Sequence, residues 1–134
     1  MIRITNEMKD VVTNAQKPMV ATASRDAKPN VVPIGFTKVI SKDEILLMDC
    51  YMNKTRVNIE SNPEVAVTVW DPEVRKGFQF KGQARIETNG PIFEEGKQWV
   101  KTRRPQTEPK AAIIITVDEI YHIGSGPDAG KRIA

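Results

Sequence analysis

Lys54 and Thr55 stand where an apolar run, EILLMD (44–49), gives way to a short polar segment that stops at Pro63. A lysine and a hydroxyl at a strand-to-helix junction suit two different tasks. Backbone N–H groups at a helix start lack intrahelical partners and favour an anion such as a phosphate. Asn53 or Thr55 equally serves as a plain cap that satisfies those groups from within the chain. The charges bear on the choice. Lys54 and Arg56 put two cations where the helix dipole disfavours them, a placement that a bound phosphate would explain. These residues alone leave cap and anion grip both open.

Residue types exclude several other chemistries. His122 is the only histidine and Cys50 the only cysteine. One histidine and one cysteine are too few for a zinc site built from those two residue types, and the same scarcity argues against a Ser-His-Asp or Cys-His machine. His122 is expected in a structural or surface role, and Cys50 as a small packed side chain. The stretch GSGPDAGK (124–131) has the look of a phosphate loop but breaks the pattern. Ser125 stands where the first glycine belongs, and Arg132 follows Lys131 where Ser or Thr is required. The expectation for 124–134 is a flexible glycine-rich tail, or one that folds over a ligand or partner.

The chain has 134 residues, 40% of them hydrophobic, which is enough for one domain with one core. No window reaches the roughly 18 apolar residues of a membrane span. The start, MIRITNEMKD, lacks a signal-peptide core. With a single cysteine, these features lead to the expectation of a cytoplasmic protein. A net charge of +3 suits an anionic ligand, but the 17 acidic residues are spread throughout. The densest basic run, KTRR (101–104), reads as a solvated helix end favoured by the dipole.

Periodicity supplies the elements that must position these groups. A helix capped by Thr5 is expected over 5–16, with Ile4, Met8, Val11, Val12 and Ala15 at helical spacing. MVATAS (19–24) reads as a strand. NVVPIGFTKVI (30–40) reads as one long β-branched run broken by Pro33 and Gly35, the latter suggesting a bulge. It forms a hairpin with the buried strand 44–49 through the turn SKDE. A helix over 54–61 ends at Asn62 and Pro63. Strands follow at 64–70 and 78–88, then a helix over 91–104 with Ile92, Phe93, Trp99 and Val100 as its buried side, then a strand at 111–123. About six strands and three short helices without βαβ alternation predict an antiparallel barrel.

In this setting the chain resembles the FMN-binding split-barrel family related to pyridoxamine 5′-phosphate oxidase, most closely its small FMN-binding proteins. The stretches that carry the resemblance are KVISKDEILLMDCYMNKTRVNI (38–59), NPEVAVTVW (62–70), GFQFKGQARIETNGPIFE (77–94) and KAAIIITVDEIY (110–121). A strand end followed by "KT", a helix, "NP" and an F-x-x-x-G-x-A strand is together fairly specific. The resemblance implies a six-stranded antiparallel Greek-key split barrel with short flanking helices, spanning 1–134 as one domain. It also implies a homodimer with two FMN molecules at its interface.

Carried onto matching positions, Lys54 and Thr55 would hold the FMN phosphate, beside Asn53 and with support from Asn58. Val32, Pro33, Ile34 and Gly35 would offer backbone groups along the isoalloxazine edge. Asp49, Cys50, Tyr51 and Met52 would wrap the ring and ribityl chain, with Tyr51 as a stacking residue. Gln79, Lys81 and Gln83 alternate to one face of their strand and would reach the phosphate or ribityl hydroxyls. Close relatives often carry glycines where Cys50 and Tyr51 stand. True pyridoxamine phosphate oxidases are longer, with a C-terminal region of arginine and histidine residues, so that activity is not expected here. The leading expectation is a flavoprotein, either an oxidoreductase or an electron carrier. Alternatives are a deazaflavin F420-dependent reductase on the same barrel, a small nucleic-acid-binding barrel, and a cofactor-free regulatory dimer. The strand faces lack the interleaved aromatics that nucleic-acid stacking needs, with Phe78 and Phe80 the only close pair.

Overall fold

Two chain segments only three residues apart set the architecture. In a computed structural model that describes residues 2–134, seven strands form one antiparallel sheet. They are β1 (Met19–Ala23), β2 (Pro29–Pro33), β3 (Thr37–Val39), β4 (Glu44–Asp49), β5 (Glu64–Asp71), β6 (Lys76–Glu87) and β7 (Ala111–Ile123). Their order is β2-β1-β5-β6-β7-β4-β3. β2 and β3 thus lie at opposite edges of the sheet, yet only residues 34–36 separate them. Four Cα steps of extended chain reach at most about 14 Å. The sheet must therefore curl until its two edges face each other across that short link. The result is a half-barrel of the split-barrel type, with seven strands where six are expected.

The long run 30–40 is accordingly two strands, and the hairpin with β4 is made by β3 alone, Thr37–Val39 facing Leu47–Ile45. Gly35 is the corner between them rather than a bulge. Ile34 N–H donates to the Pro18 carbonyl at 2.8 Å and Met48 N–H to the Phe36 carbonyl at 3.0 Å. The link is thereby tied to both sides of the seam. The bulge falls instead between β6 and β7, where Lys81 pairs with Glu119 but Gly82 with Val117. A Cβ on Gly82 would lie 2.0 Å from the Thr116 carbonyl oxygen, so glycine is required for strand approach.

Alternation divides the apolar side chains between two layers. Val65, Val67 and Val69 of β5, Phe78 and Phe80 of β6, and Ile45 and Leu47 of β4 point into the barrel with Ile113 and Ile115. Helix α1 (Asn6–Asn14) adds Met8, Val11 and Val12 to this core. Thr5 caps it as expected, its Oγ1 accepting from Met8 N–H at 3.2 Å. The opposite faces of β4 and β7 bury Leu46, Met48, Ala112 and Ile114 under helix α3 (Pro91–Arg103), which contributes Phe93 and Val100. Ile92 and Trp99 pack at its margin. Two-sided burial is why EILLMD and AAIII are continuous apolar runs. Helix α2 (Lys54–Ser61) matches its expected bounds. It packs on β1 and β2.

Candidate functional site

The seam between the sheet edges opens into a cavity of about 440 Å³. One wall is Val32, Pro33, Ile34, Gly35 and Phe36, the end of β2 and the link to β3. The facing wall is Met48, Cys50, Tyr51, Met52, Asn53, Lys54 and Thr55, the end of β4 and the start of α2. Arg104 and Thr107, from the connection after α3, complete it.

The start of α2 is not a self-capped helix. Asn53 occupies the N-cap position with φ −129° and ψ −87° and makes no side-chain cap hydrogen bond. Thr55 does not cap either. Its Oγ1 accepts from Asn30 Nδ2 at 3.1 Å, which leaves the hydroxyl proton to donate elsewhere. The first turn therefore keeps backbone N–H groups without a side-chain acceptor, next to the Lys54 ammonium. Asn30 Nδ2 also lies 3.3 Å from Thr22 Oγ1, and Asn58 Nδ2 donates to the same oxygen at 3.0 Å. This buried polar network fixes α2 on β1 and β2. Asn58 belongs to it and does not line the cavity.

Arg56 resolves differently from Lys54. Its Nη1 donates to Asp49 Oδ2 at 2.9 Å, and its Nε lies 3.3 Å from Glu60. An internal carboxylate, not a missing phosphate, accounts for that cation. Asp49 is fully buried beneath the cavity wall. It also accepts from Met52 N–H at 2.9 Å, while Lys110 Nζ lies 3.8 Å away and donates to the Met52 carbonyl at 2.9 Å. Asp49 thus shapes the segment 50–53 from below and presents no atom to the cavity.

Cys50 is half-buried, and that burial, helped by the Asp49 charge, pushes its thiol above the usual range against the pull of Arg104 and Lys110. It is a neutral wall residue at physiological pH, not a thiolate. Tyr51 is 81% exposed, so its ring stands at the mouth, with its hydroxyl 3.3 Å from Thr107 Oγ1. Gln79, Lys81 and Gln83 share one face of β6 as expected, but none lines this cavity. Gln83 Nε2 donates to Glu64 at 2.8 Å, and Lys81 Nζ sits 5.2 Å from the centre of the Tyr121 ring.

Four lining residues are not among those expected from the sequence. Phe36 and Met48 adjoin predicted ones and were within reach of it. Arg104 ends the KTRR run, for which the sequence alone predicts a solvated helix end. Thr107 had no signal at all, since only the folded connection between α3 and β7 brings it here. His122 packs its ring 5.9 Å from Phe78, away from the cavity. Among the described residues no cluster of His, Cys, Asp or Glu is arranged to hold a metal, and no helix is long and apolar enough to cross a membrane.

An antiparallel split barrel defines a class of fold, and comparison with known proteins agrees with it. A family described as pyridoxamine 5′-phosphate oxidase matches residues 4–124, and the chain belongs to that family. An uncharacterised protein of Methanocaldococcus jannaschii is 37% identical over all of this chain and 90% of its own length. The crystal structure of HupZ from Group A Streptococcus is 35% identical, covers 95% of this chain and 99% of that one, and superposes with a TM-score of 0.83. An FMN-binding protein from Syntrophomonas wolfei shares the fold at TM-score 0.80 and 14% identity, over 89% of this chain and 85% of that one. The fold also recurs in HutZ, described as a heme storage protein of Vibrio cholerae (17% identity, TM-score 0.66, 90% and 94% coverage), and in an F420 reductase (20%, 0.62, 84% and 94%).

Proposed function

We propose that this chain is an FMN-binding flavoprotein, an oxidoreductase or electron carrier that works as a homodimer with non-covalent FMN at the subunit interface. The observation that carries the reading is the uncapped, cation-marked start of α2 opening into a cavity whose other walls are largely apolar. The volume of about 440 Å³ falls within the range of small-molecule sites. A ligand with a phosphate at one end and a flat apolar body matches that division.

Lys54, the Thr55 hydroxyl and the first-turn amides of α2 would hold the phosphate. Backbone groups of residues 32–35 would meet the polar edge of the ring. Phe36, Met48 and Met52 would exclude water from it, and Tyr51 would close the mouth. When bound, FMN supplies the hydride and electron chemistry, and the protein supplies placement and electrostatics. The dimer rests on the family resemblance. The phosphate grip suits FMN and F420 alike, so the identity of the cofactor released on denaturation decides between them.

Titration of the purified protein with FMN, followed by quenching of flavin fluorescence and by sedimentation, tests the reading. Stoichiometric uptake by a dimer is expected. A protein that leaves the flavin spectrum and fluorescence unchanged at high concentration would overturn it.

A further inference from the structure

The cavity holds two cations, and both are unpaired. Lys54 and Arg104 line it, and neither has a hydrogen-bond, ion-pair or ring partner among the described residues. The basic residues around them are all engaged. Arg56 and Lys110 bind Asp49, Lys97 and Lys101 bind Glu108, and Lys38 and Arg103 lie 4.5 and 5.8 Å from the Trp99 ring centre.

The two free cations enter the cavity from different elements, Lys54 from the start of α2 and Arg104 from the connection after α3. Along one wall the chain runs from Val32 to Phe36. At its start Asn30 bonds to Thr55, the α2 end. At its finish the Phe36 carbonyl accepts from Met48 N–H, the β4 end. The other wall runs back from Met48 through Cys50 and Tyr51 to Lys54. Arg104 stands on the connection whose Thr107 meets Tyr51 at 3.3 Å, just after α3, whose Trp99 meets Phe36 edge-on at 5.2 Å. A ligand gripped by its phosphate at α2 that fills the cavity would bring its ring system against the wall that Arg104 completes.

We propose that Arg104 is the residue that sets the reduction potential of the bound flavin, through its charge, while Lys54 sets affinity without touching potential. This inference rests on the FMN reading. Two electrons and one proton added to a flavin ring leave it with one extra negative charge, whereas the phosphate keeps its charge in both redox states. A cation near the ring therefore favours the reduced form, and a cation at the phosphate favours both forms equally. Only a difference in affinity between two states moves their equilibrium.

The test is a spectroscopic redox titration of the FMN complex with dithionite against a reference dye, for wild type, Arg104→Gln, Arg104→Lys and Lys54→Ala. Arg104 is exposed and its backbone bonds at the end of α3 do not involve its side chain, so the variants are expected to fold. Arg104→Gln should bind oxidised FMN within about twofold of wild type but reduced FMN about three- to tenfold more weakly. That is a fall in midpoint potential of about 15–30 mV for a two-electron couple. Arg104→Lys should restore most of the shift. The shift should shrink in 1 M salt, where screening acts within about 3 Å. Lys54→Ala should bind both forms more weakly with its potential unchanged. A wild type that binds FMN and an Arg104→Gln variant of unchanged potential would overturn this inference alone. A wild type that binds no FMN overturns both it and the functional reading beneath it.

Discussion

Lys54 and Arg56 are two residues apart on the first turn of α2, and their sequence positions make the same argument for a phosphate. Their surroundings separate them. Arg56 neutralises the buried Asp49 carboxylate at 2.9 Å, and Lys54 has no partner among the described residues. Substitution should therefore act on different quantities. Lys54→Ala should weaken FMN about tenfold, or about 1.4 kcal/mol, while leaving riboflavin, which lacks the phosphate, unaffected. Equal losses for the two ligands in parallel fluorescence titrations would remove the phosphate role. Arg56→Ala should instead lower stability by about 3 kcal/mol, because it leaves a buried carboxylate with the Met52 N–H bond but only the distant Lys110 as a countercharge. The urea midpoint measures that loss. Cys50 gives a pH test. A thiol pushed upward from 9.0 stays protonated through neutral pH, and only the thiolate reacts. Alkylation by iodoacetamide should be slow at pH 7 and accelerate only above pH 9. Rapid labelling at pH 7 would contradict the burial-dominated environment.

At the scale of elements, what is local in the sequence was legible and what depends on closure was not. Thr5 as a cap, α2 from Lys54 to Ser61, and the alternation of β5 and β6 follow from nearest-neighbour physics, and the fold keeps them. The run 30–40 looks like one strand because β-branching persists across Gly35, while the chain passes from one sheet edge to the other. Nothing local distinguishes a bulge from a corner when the deciding partners, Pro18 and Met48, are remote in sequence. The same reason hid Arg104 and Thr107, which enter the cavity only because α3 packs outside β4 and β7. Gly82 shows the converse, a glycine whose strand context was visible but whose purpose needed the partner strand. Its Cβ would meet the Thr116 backbone, which cannot swing aside as a side chain would. Gly82→Ala should therefore cost about 3 kcal/mol or more, read from the denaturant midpoint. A midpoint equal to wild type would mean that β6 and β7 part at no cost there. Because Gly82 lies away from the cavity, FMN affinity of the folded fraction should persist.

The glycine-rich tail is decided only by the whole molecule. β4 pairs with β7 along Ala111 to Thr116 and no further, so the edge of β7 beyond the bulge at Asp118 would be bare. Residues 130–134 fold back and take that place. Gly130 N–H donates to the His122 carbonyl and His122 N–H to the Lys131 carbonyl, both at 2.9 Å. Ile133 N–H donates to the Ile120 carbonyl at 2.7 Å, and Ile120 N–H to the Ala134 carbonyl at 3.0 Å. Ala134 packs against the barrel core. None of residues 124–134 lines the cavity. The tail is thus an edge cover, the device by which sheet proteins hide unpaired N–H and C=O groups from other chains. Deleting 124–134 should lower stability by about 2–5 kcal/mol, from five backbone bonds to β7 at about 0.5–1 kcal/mol each, and should promote concentration-dependent association in sedimentation velocity. Oxidised FMN should bind the shortened chain within about twofold of wild type, since Lys54, Thr55 and the 32–36 wall are untouched. A deletion that abolished FMN binding while leaving the urea midpoint in place would reverse this assignment. It would make the tail part of the site.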